Sequence, residues 1–234
     1  MREWKQWVSV VATAAACATL FTSARAQTTS AKDSGDWKTL FDGTSLDAWR
    51  GYKADKAPEG WKIVDRTLFK DTSVADLVTK DDFGDFELSL EWKISEGGNA
   101  GIFYRGTEEY EHVYWSGPEY QLLDNEKADD NKSPLTRAAA AYALYPPAES
   151  AKPKRVGEWN QTRILAKGAH CEHWLNGTKA LEYELWSPDW EAKVKASKFK
   201  DWPNYGRAKK GHIALQGDHD GTLAFRNIRI RELK

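Results

Sequence analysis

The sequence predicts an all-β protein, a sandwich or jelly roll of antiparallel sheets carrying one short helix. Three observations lead there. Residues 86–94 alternate without a break, Phe86, Leu88, Leu90, Trp92 and Ile94 against Glu87, Ser89, Glu91 and Lys93, the period-two pattern of a strand with one wet face. Short strand-like runs divided by Gly, Asn and Asp turns recur along the chain, with no strand–helix–strand rhythm, which favours antiparallel layers. A single segment, 187–199, carries good helix signals.

Taken in order, residues 37–43 and 46–51 read as short strands or turns punctuated by Gly43 and Gly51. Residues 60–69 read as a hairpin and 76–80 as another strand. After the 86–94 strand, Gly97 and Gly98 turn the chain into 100–105. Further strands are expected at 119–123, 160–166, 171–175, 179–184, 212–216 and 223–230. Asn176-Gly177 is a type I′ hairpin signal. In the last strand the apolar phase slips between Phe225 and Ile228, which predicts a bulge. In the helix, Ser187 is the N-cap, Pro188 the first helical residue, and Asp189 and Glu191 favour the positive end of the dipole. Trp190 and Val194, four apart, form its buried face. The long connection 126–145, with its run of four alanines from Ala138, is expected to act as a lid.

The chain has 234 residues, 41% hydrophobic and 29% charged, enough for one domain with a sizeable core. Residues 1–26 read as a secretory signal peptide. Arg2 and Lys5 make a basic start, an apolar run extends to Phe21, and Ala24-Arg25-Ala26 is a small-x-small cleavage site. Cys17 follows three alanines as in a lipoprotein site, but lacks the usual leucine. Residues 27–36 read as a disordered leader, leaving 37–234 as the domain and a periplasmic or secreted location. Setting aside Arg2, Lys5, Arg25 and Glu3 leaves 31 basic against 34 acidic residues, which argues against a nucleic-acid partner. No run is suited to a membrane span. Beyond the signal only Cys171 remains, so no internal disulfide can form, and no Cys/His zinc pattern is present.

The densest polar chemistry lies in residues 97–125. Glu119 and Gln121 sit two apart in a strand-like segment, so they share one sheet face, with Tyr120 and Leu122 on the other. A carboxyl and an amide on an otherwise apolar sheet need partners, either a ligand or neighbouring strands.

The segments GGNAGIFYRG (from Gly97), GPEYQLLDN (from Gly117), VGEWN, EHWLNG, SKF, GHIALQ and FRNIRIREL occur in the order found in the 3-keto-disaccharide hydrolase family. The chain resembles that family from residue 37 to 233. The resemblance implies a concanavalin A-like jelly roll with a carbohydrate cleft, and cleavage of 3-keto glycosides. A C3 ketone acidifies the C2 proton, so a base can form an enediolate, the C1 substituent leaves by elimination, and water adds back. A non-catalytic carbohydrate-binding module on the same scaffold is the alternative, since fold alone does not fix function.

On this resemblance Glu119 is a candidate base and Gln121 a hydroxyl ligand, and His219, in GDHDG, is a second acid/base candidate that Asp218 and Asp220 would orient. Many family members lack the extra Gly217. Asp124, at a strand end before Asn125, is a catalytic candidate or an ordinary turn residue. Arg105 offers a fork of donors for oxyanions or hydroxyls. Asn99 follows a glycine pair, and Ala100 stands where the family often has serine. Trp115 is the candidate sugar platform among ten tryptophans past the signal. Lys198 is a cleft candidate or a cation at the helix C-terminus. His173 alternates with Cys171 and Leu175, the phase of a core histidine, and is also a substrate-binding candidate. Asp218, His219 and Asp220, with Glu119 or Asp124, are weak candidates for a divalent metal.

Overall fold

The computed structural model describes residues 36–234, and the expected signal peptide and most of the leader lie outside them. Among the described residues, thirteen strands form two antiparallel sheets. In chain order they are β1 (Lys38–Phe41), β2 (Trp49–Gly51), β3 (Lys62–Val64), β4 (Thr67–Lys70), β5 (Leu77–Thr79), β6 (Phe86–Ile94), β7 (Asn99–Gly106), β8 (Glu119–Leu123), β9 (Asn160–Lys167), β10 (His170–Leu175), β11 (Thr178–Glu184), β12 (His212–Leu215) and β13 (Leu223–Glu232). The first sheet runs β11-β10-β9-β6-β13-β4-β3, with β1 also paired to β13; the second runs β2-β5-β12-β7-β8. This is the jelly-roll sandwich that the alternation and turn spacing predict.

The core lies between the sheets. Phe86, Leu88, Leu90 and Trp92 of β6 are at most 1% exposed and pack with Ile102, Tyr104, Tyr120 and Leu122 from the second sheet. The opposite phase of β6, expected to face water, is largely covered, with Glu87 and Ser89 buried and Glu91 and Lys93 half-buried. Glu91 is bonded by Arg226, and Glu87 by Arg163 and Arg231, so neighbouring strands cover both carboxylates.

Three local expectations appear in the backbone. Asn176 (φ 50°) and Gly177 (φ 82°) make the left-handed pair of a type I′ turn. The β6–β13 register slips between Arg226 and Arg229 around Asn227 (φ 53°), the expected bulge that keeps Phe225, Ile228 and Ile230 all inward. The helix α1 spans Pro188–Ala196, with Ser187 Oγ accepting from Trp190 N, and buries Trp190 and Val194. It stops three residues short of the expected end because Ser197 caps a following 3₁₀ turn, Lys198–Asp201.

The connection after β8 is not a free lid. Its alanines are buried and hydrogen-bond along the edge of β8: Gln121 N donates to Ala140 O, Ala139 N to Gln121 O, and Tyr142 N to Glu119 O. Small side chains allow this close approach. The segment therefore extends the second sheet and leaves Tyr142 standing as a wall beside Glu119.

Candidate active site

The outer face of the second sheet divides in two. One half is covered by residues 107–116, whose Val113 and Tyr114 pack on Val78, Phe103 and Ala214. The other half is an open polar pocket of about 470 Å³, lined by Asn99, Glu119 and Gln121 from β7 and β8, Gln216 after β12, Asp218 and His219, Asp129, Asp130 and Tyr142, and Tyr114, Lys198 and Phe199. Glu119 and His219 thus share one pocket, with Gln121, Asn99, Lys198 and Asp218.

Strand alternation builds the floor. Tyr120 and Leu122 go into the core, so Glu119 and Gln121 face out. The Glu119 carboxyl lies across Gly101 of the neighbouring strand: a Cβ there would stand 2.3 Å from Glu119 Oε1. In the amide orientation that satisfies both ends, Gln121 donates to Glu119 Oε1 at 2.9 Å and Ala100 O at 3.0 Å. Gln216, only 7% exposed, leaves its Oε1 with no protein partner. A buried acceptor without a donor is costly, and this one sits in the pocket lining.

Glu119 keeps some access to the pocket, yet protein encloses its carboxyl closely enough that desolvation pushes it up to about 8, opposed by the positive charge of Lys198. Lys198 is exposed as a residue, and its ammonium sits 4.2 Å from the centre of the Tyr142 ring. Burial lowers its pKa while Glu119 and Asp130 hold it up. Tyr142 donates to Asp130 Oδ2 at 2.8 Å. A protonatable carboxyl and an ammonium in one pocket can accept a proton and steady a developing negative charge.

His219 is partly exposed, its Nε2 3.9 Å from Asp218 Oδ1. Gly217 is squeezed against the 74–75 backbone; a Cβ there would lie 2.5 Å from Val74 O. Val74 N donates to Gly217 O and Gly217 N to Asp76 Oδ1. Burial pushes the Asp76 carboxyl up to about 7, against the Gly217 hydrogen bond.

Four sequence candidates lie elsewhere. Arg105 is 1% exposed and is used up in the fold, donating to Gly84 O, Gly168 O and Asp85 Oδ1. Its φ of 53° breaks the strand alternation at the end of β7. His173 is fully buried, bonded through Nδ1 to Ala139 O and through Nε2 to the Tyr104 hydroxyl, and burial lowers it to about 4. Asp124 accepts from Gly97 N, Glu126 N and Lys127 N. Burial pushes its carboxyl up, but those bonds prevail and hold it below the usual range. This is turn chemistry. Trp115 packs among Tyr110, His112, Tyr114 and Trp202 in the covering loop, and Tyr114 reaches the pocket instead.

Sequence reasoning missed Gln216, Tyr142, Asp129, Asp130, Tyr114 and Phe199. For Gln216 a signal existed: it continues the alternation of His212 and Ala214 onto the outer face. The others come from the connections between strands, two of them in short 3₁₀ turns, whose course no periodicity reveals. Asp218 and Asp220 do not converge with Glu119 or Asp124 as metal ligands. Among the described residues the closely grouped set of three is His170, Glu172 and Glu182, where Lys179 Nζ already bonds both glutamates. A larger hollow of about 840 Å³, lined by Trp92, Leu123, Asp124 and the 147–156 loop, contains neither Glu119 nor His219.

A polar pocket on the outer sheet face of a jelly roll defines a protein built to hold a polar ligand such as a carbohydrate. Residues 36–231 match the model of the 3-keto-alpha-glucoside-1,2-lyase-like domain. A 3-keto-disaccharide hydrolase of Bacteroides thetaiotaomicron is 35% identical over 232 residues, 86% of this chain and 80% of that protein. A crystal structure of a candidate glycosyl hydrolase from Parabacteroides distasonis has 30% identity and a TM-score of 0.79, covering 86% of this chain and 94% of that one. A second structure of that description from the same organism has 28% identity and a TM-score of 0.67, covering 85% and 100%. The chain belongs to the 3-keto-alpha-glucoside-1,2-lyase-like, or 3-keto-disaccharide hydrolase, family.

Proposed function

We propose that this protein cleaves 3-keto glycosides, 3-keto disaccharides among them, by proton abstraction, elimination and hydration, in the periplasm or outside the cell. The observation that carries the reading is the raised carboxyl of Glu119 lying across Gly101 in an amide-floored pocket beside Lys198 and His219. A carboxyl poised near neutrality is the base that a ketone-acidified C–H bond needs.

Glu119 takes the C2 proton, and the electron pair spreads onto the C3 oxygen as an enediolate. The Lys198 ammonium and the amides of Gln121 and Asn99 supply charge and donors to that oxygen. The pair then expels the C1 substituent, which leaves as an alcohol after receiving a proton from His219. Water adds at C1 of the enone and a proton returns to C2, giving the free 3-keto sugar. Release before water adds makes the same site a lyase. The unpaired Gln216 Oε1 accepts from a sugar hydroxyl.

The test is incubation with 3-keto-trehalose, 3-keto-lactose and a nitrophenyl 3-keto-glucoside beside their unoxidised parents, with and without chelator. Cleavage of the keto forms alone, abolished by Glu119→Gln, supports the reading. Equal turnover of the parents points to a conventional paired-carboxylate glycosidase, and binding without turnover to a carbohydrate-binding module.

A further inference from the structure

Lys70 ends β4 in the buried phase after Leu68 and is 1% exposed, yet no carboxylate is hydrogen-bonded to its ammonium. The three protons go instead to three backbone carbonyls, those of Thr72, His219 and Gly221, with Thr72 at 3.4 Å and Gly221 at 3.3 Å. A buried ammonium is costly to desolvate and is normally paired. Desolvation lowers its pKa, opposed by the negative charges of Asp218, Asp220, Asp76 and Asp71.

Two of those carbonyls belong to the short loop that presents His219 to the pocket. The same loop is fastened from the 72–76 side: Ser73 Oγ donates to Asp218 O at 2.8 Å, Ser73 N to Asp220 Oδ1 at 3.3 Å, and Gly217 N to Asp76 Oδ1 at 2.8 Å. The loop has no regular secondary structure of its own. An internal cation on one side and the 72–76 segment on the other thus hold its course.

We propose that Lys70 is a positioning residue: its buried ammonium clamps the His219 and Gly221 carbonyls and so fixes the imidazole of His219 against the pocket. Lys70 does not touch substrate. It acts through His219, and the inference rests on the reading of His219 as the leaving-group acid. A displacement of about 1 Å at a reacting group costs on the order of 100-fold in rate, so loss of the clamp should show in kcat more than in KM.

The experiment is a double-mutant cycle on the full chain with a 3-keto disaccharide, using Lys70→Met, which keeps the stem volume, and His219→Ala, with Lys70→Arg as the conservative variant. The expected result is a loss in kcat of about tenfold or more for Lys70→Met, KM changed less than about threefold, partial rescue by arginine, and no further loss when Lys70→Met is added to His219→Ala. Full additivity in the double variant would overturn the proposal. The ¹H–¹³C signal of the His219 imidazole is read in parallel and needs no turnover. A shifted or broadened His219 signal in folded Lys70→Met supports the clamp even if the reaction is another one, and an unchanged signal overturns it. If Lys70→Met does not fold, Lys70→Gln, which keeps a polar stem but carries no charge, makes the same comparison, and an unaltered imidazole signal in it overturns the proposal.

Discussion

The carboxyl of Glu119 and the α-carbon of Gly101 occupy adjacent strands so closely that a single methyl on Gly101 would reach to 2.3 Å from Glu119 Oε1. The glycine is therefore a seat for the carboxylate rather than a flexible joint. Gly101→Ala is expected to lift the carboxyl off the sheet and cut kcat/KM on the order of 100-fold. The fold should survive, because the new methyl points to the pocket and not to the core. Parallel kinetics and thermal unfolding check this, and wild-type turnover in the alanine variant would remove the glycine's role.

Glu119 should report its environment in the pH profile. With a nitrophenyl leaving group that needs no acid, kcat/KM is expected to rise about tenfold per pH unit below the pKa of the base and to level near 8. A plateau already reached at pH 5 would show an ordinary carboxylate.

Lys198 opposes the upward shift of Glu119. Removing the ammonium in Lys198→Met should move the same limb to higher pH and lower the rate at pH 7. A limb that stays in place, or moves to lower pH, would separate the two residues.

Stability carries the matching sign. A carboxyl whose folded pKa is raised stabilises the fold while neutral, and that contribution is lost as pH rises toward the folded value. Glu119, raised to about 8, and Asp76, raised to about 7, both act this way. Thermal stability should fall between about pH 5 and pH 8, and Glu119→Gln should flatten part of the fall. Equal slopes in wild type and variant would contradict the buried-carboxyl account.

Arg105 separates architecture from chemistry. Its guanidinium joins Gly84 O and Asp85 in one chain segment to Gly168 O in another. Arg105→Met leaves those acceptors unpaired and should cost about 3 kcal/mol or more. Folded enzyme should keep its kcat/KM. A selective loss of activity at unchanged melting temperature would return Arg105 to the pocket.

These residues also show what a sequence discloses. Glu119 and Gln121 were legible because alternation in β8 is strict and the core claims Tyr120 and Leu122. The bulge at Asn227 and the Asn176-Gly177 turn were legible because apolar phase and turn chemistry are local. Arg105 misled because a left-handed φ inside a strand carries no marker in its own side chain. Tyr142 and Asp130 were invisible because pairing of the alanine run with the edge of β8 depends on contacts far apart in sequence. Lys70 left a signal, a cation in apolar phase, that reads as a misfit until the loop it holds is seen.

The most direct measurement is cleavage of a 3-keto disaccharide in D₂O, with the released 3-keto sugar examined by NMR. Abstraction by Glu119 predicts deuterium at C2 of the product from the wild type, and neither exchange nor cleavage with Glu119→Gln. Rapid cleavage that leaves the original proton at C2 would contradict elimination and the role given to Glu119.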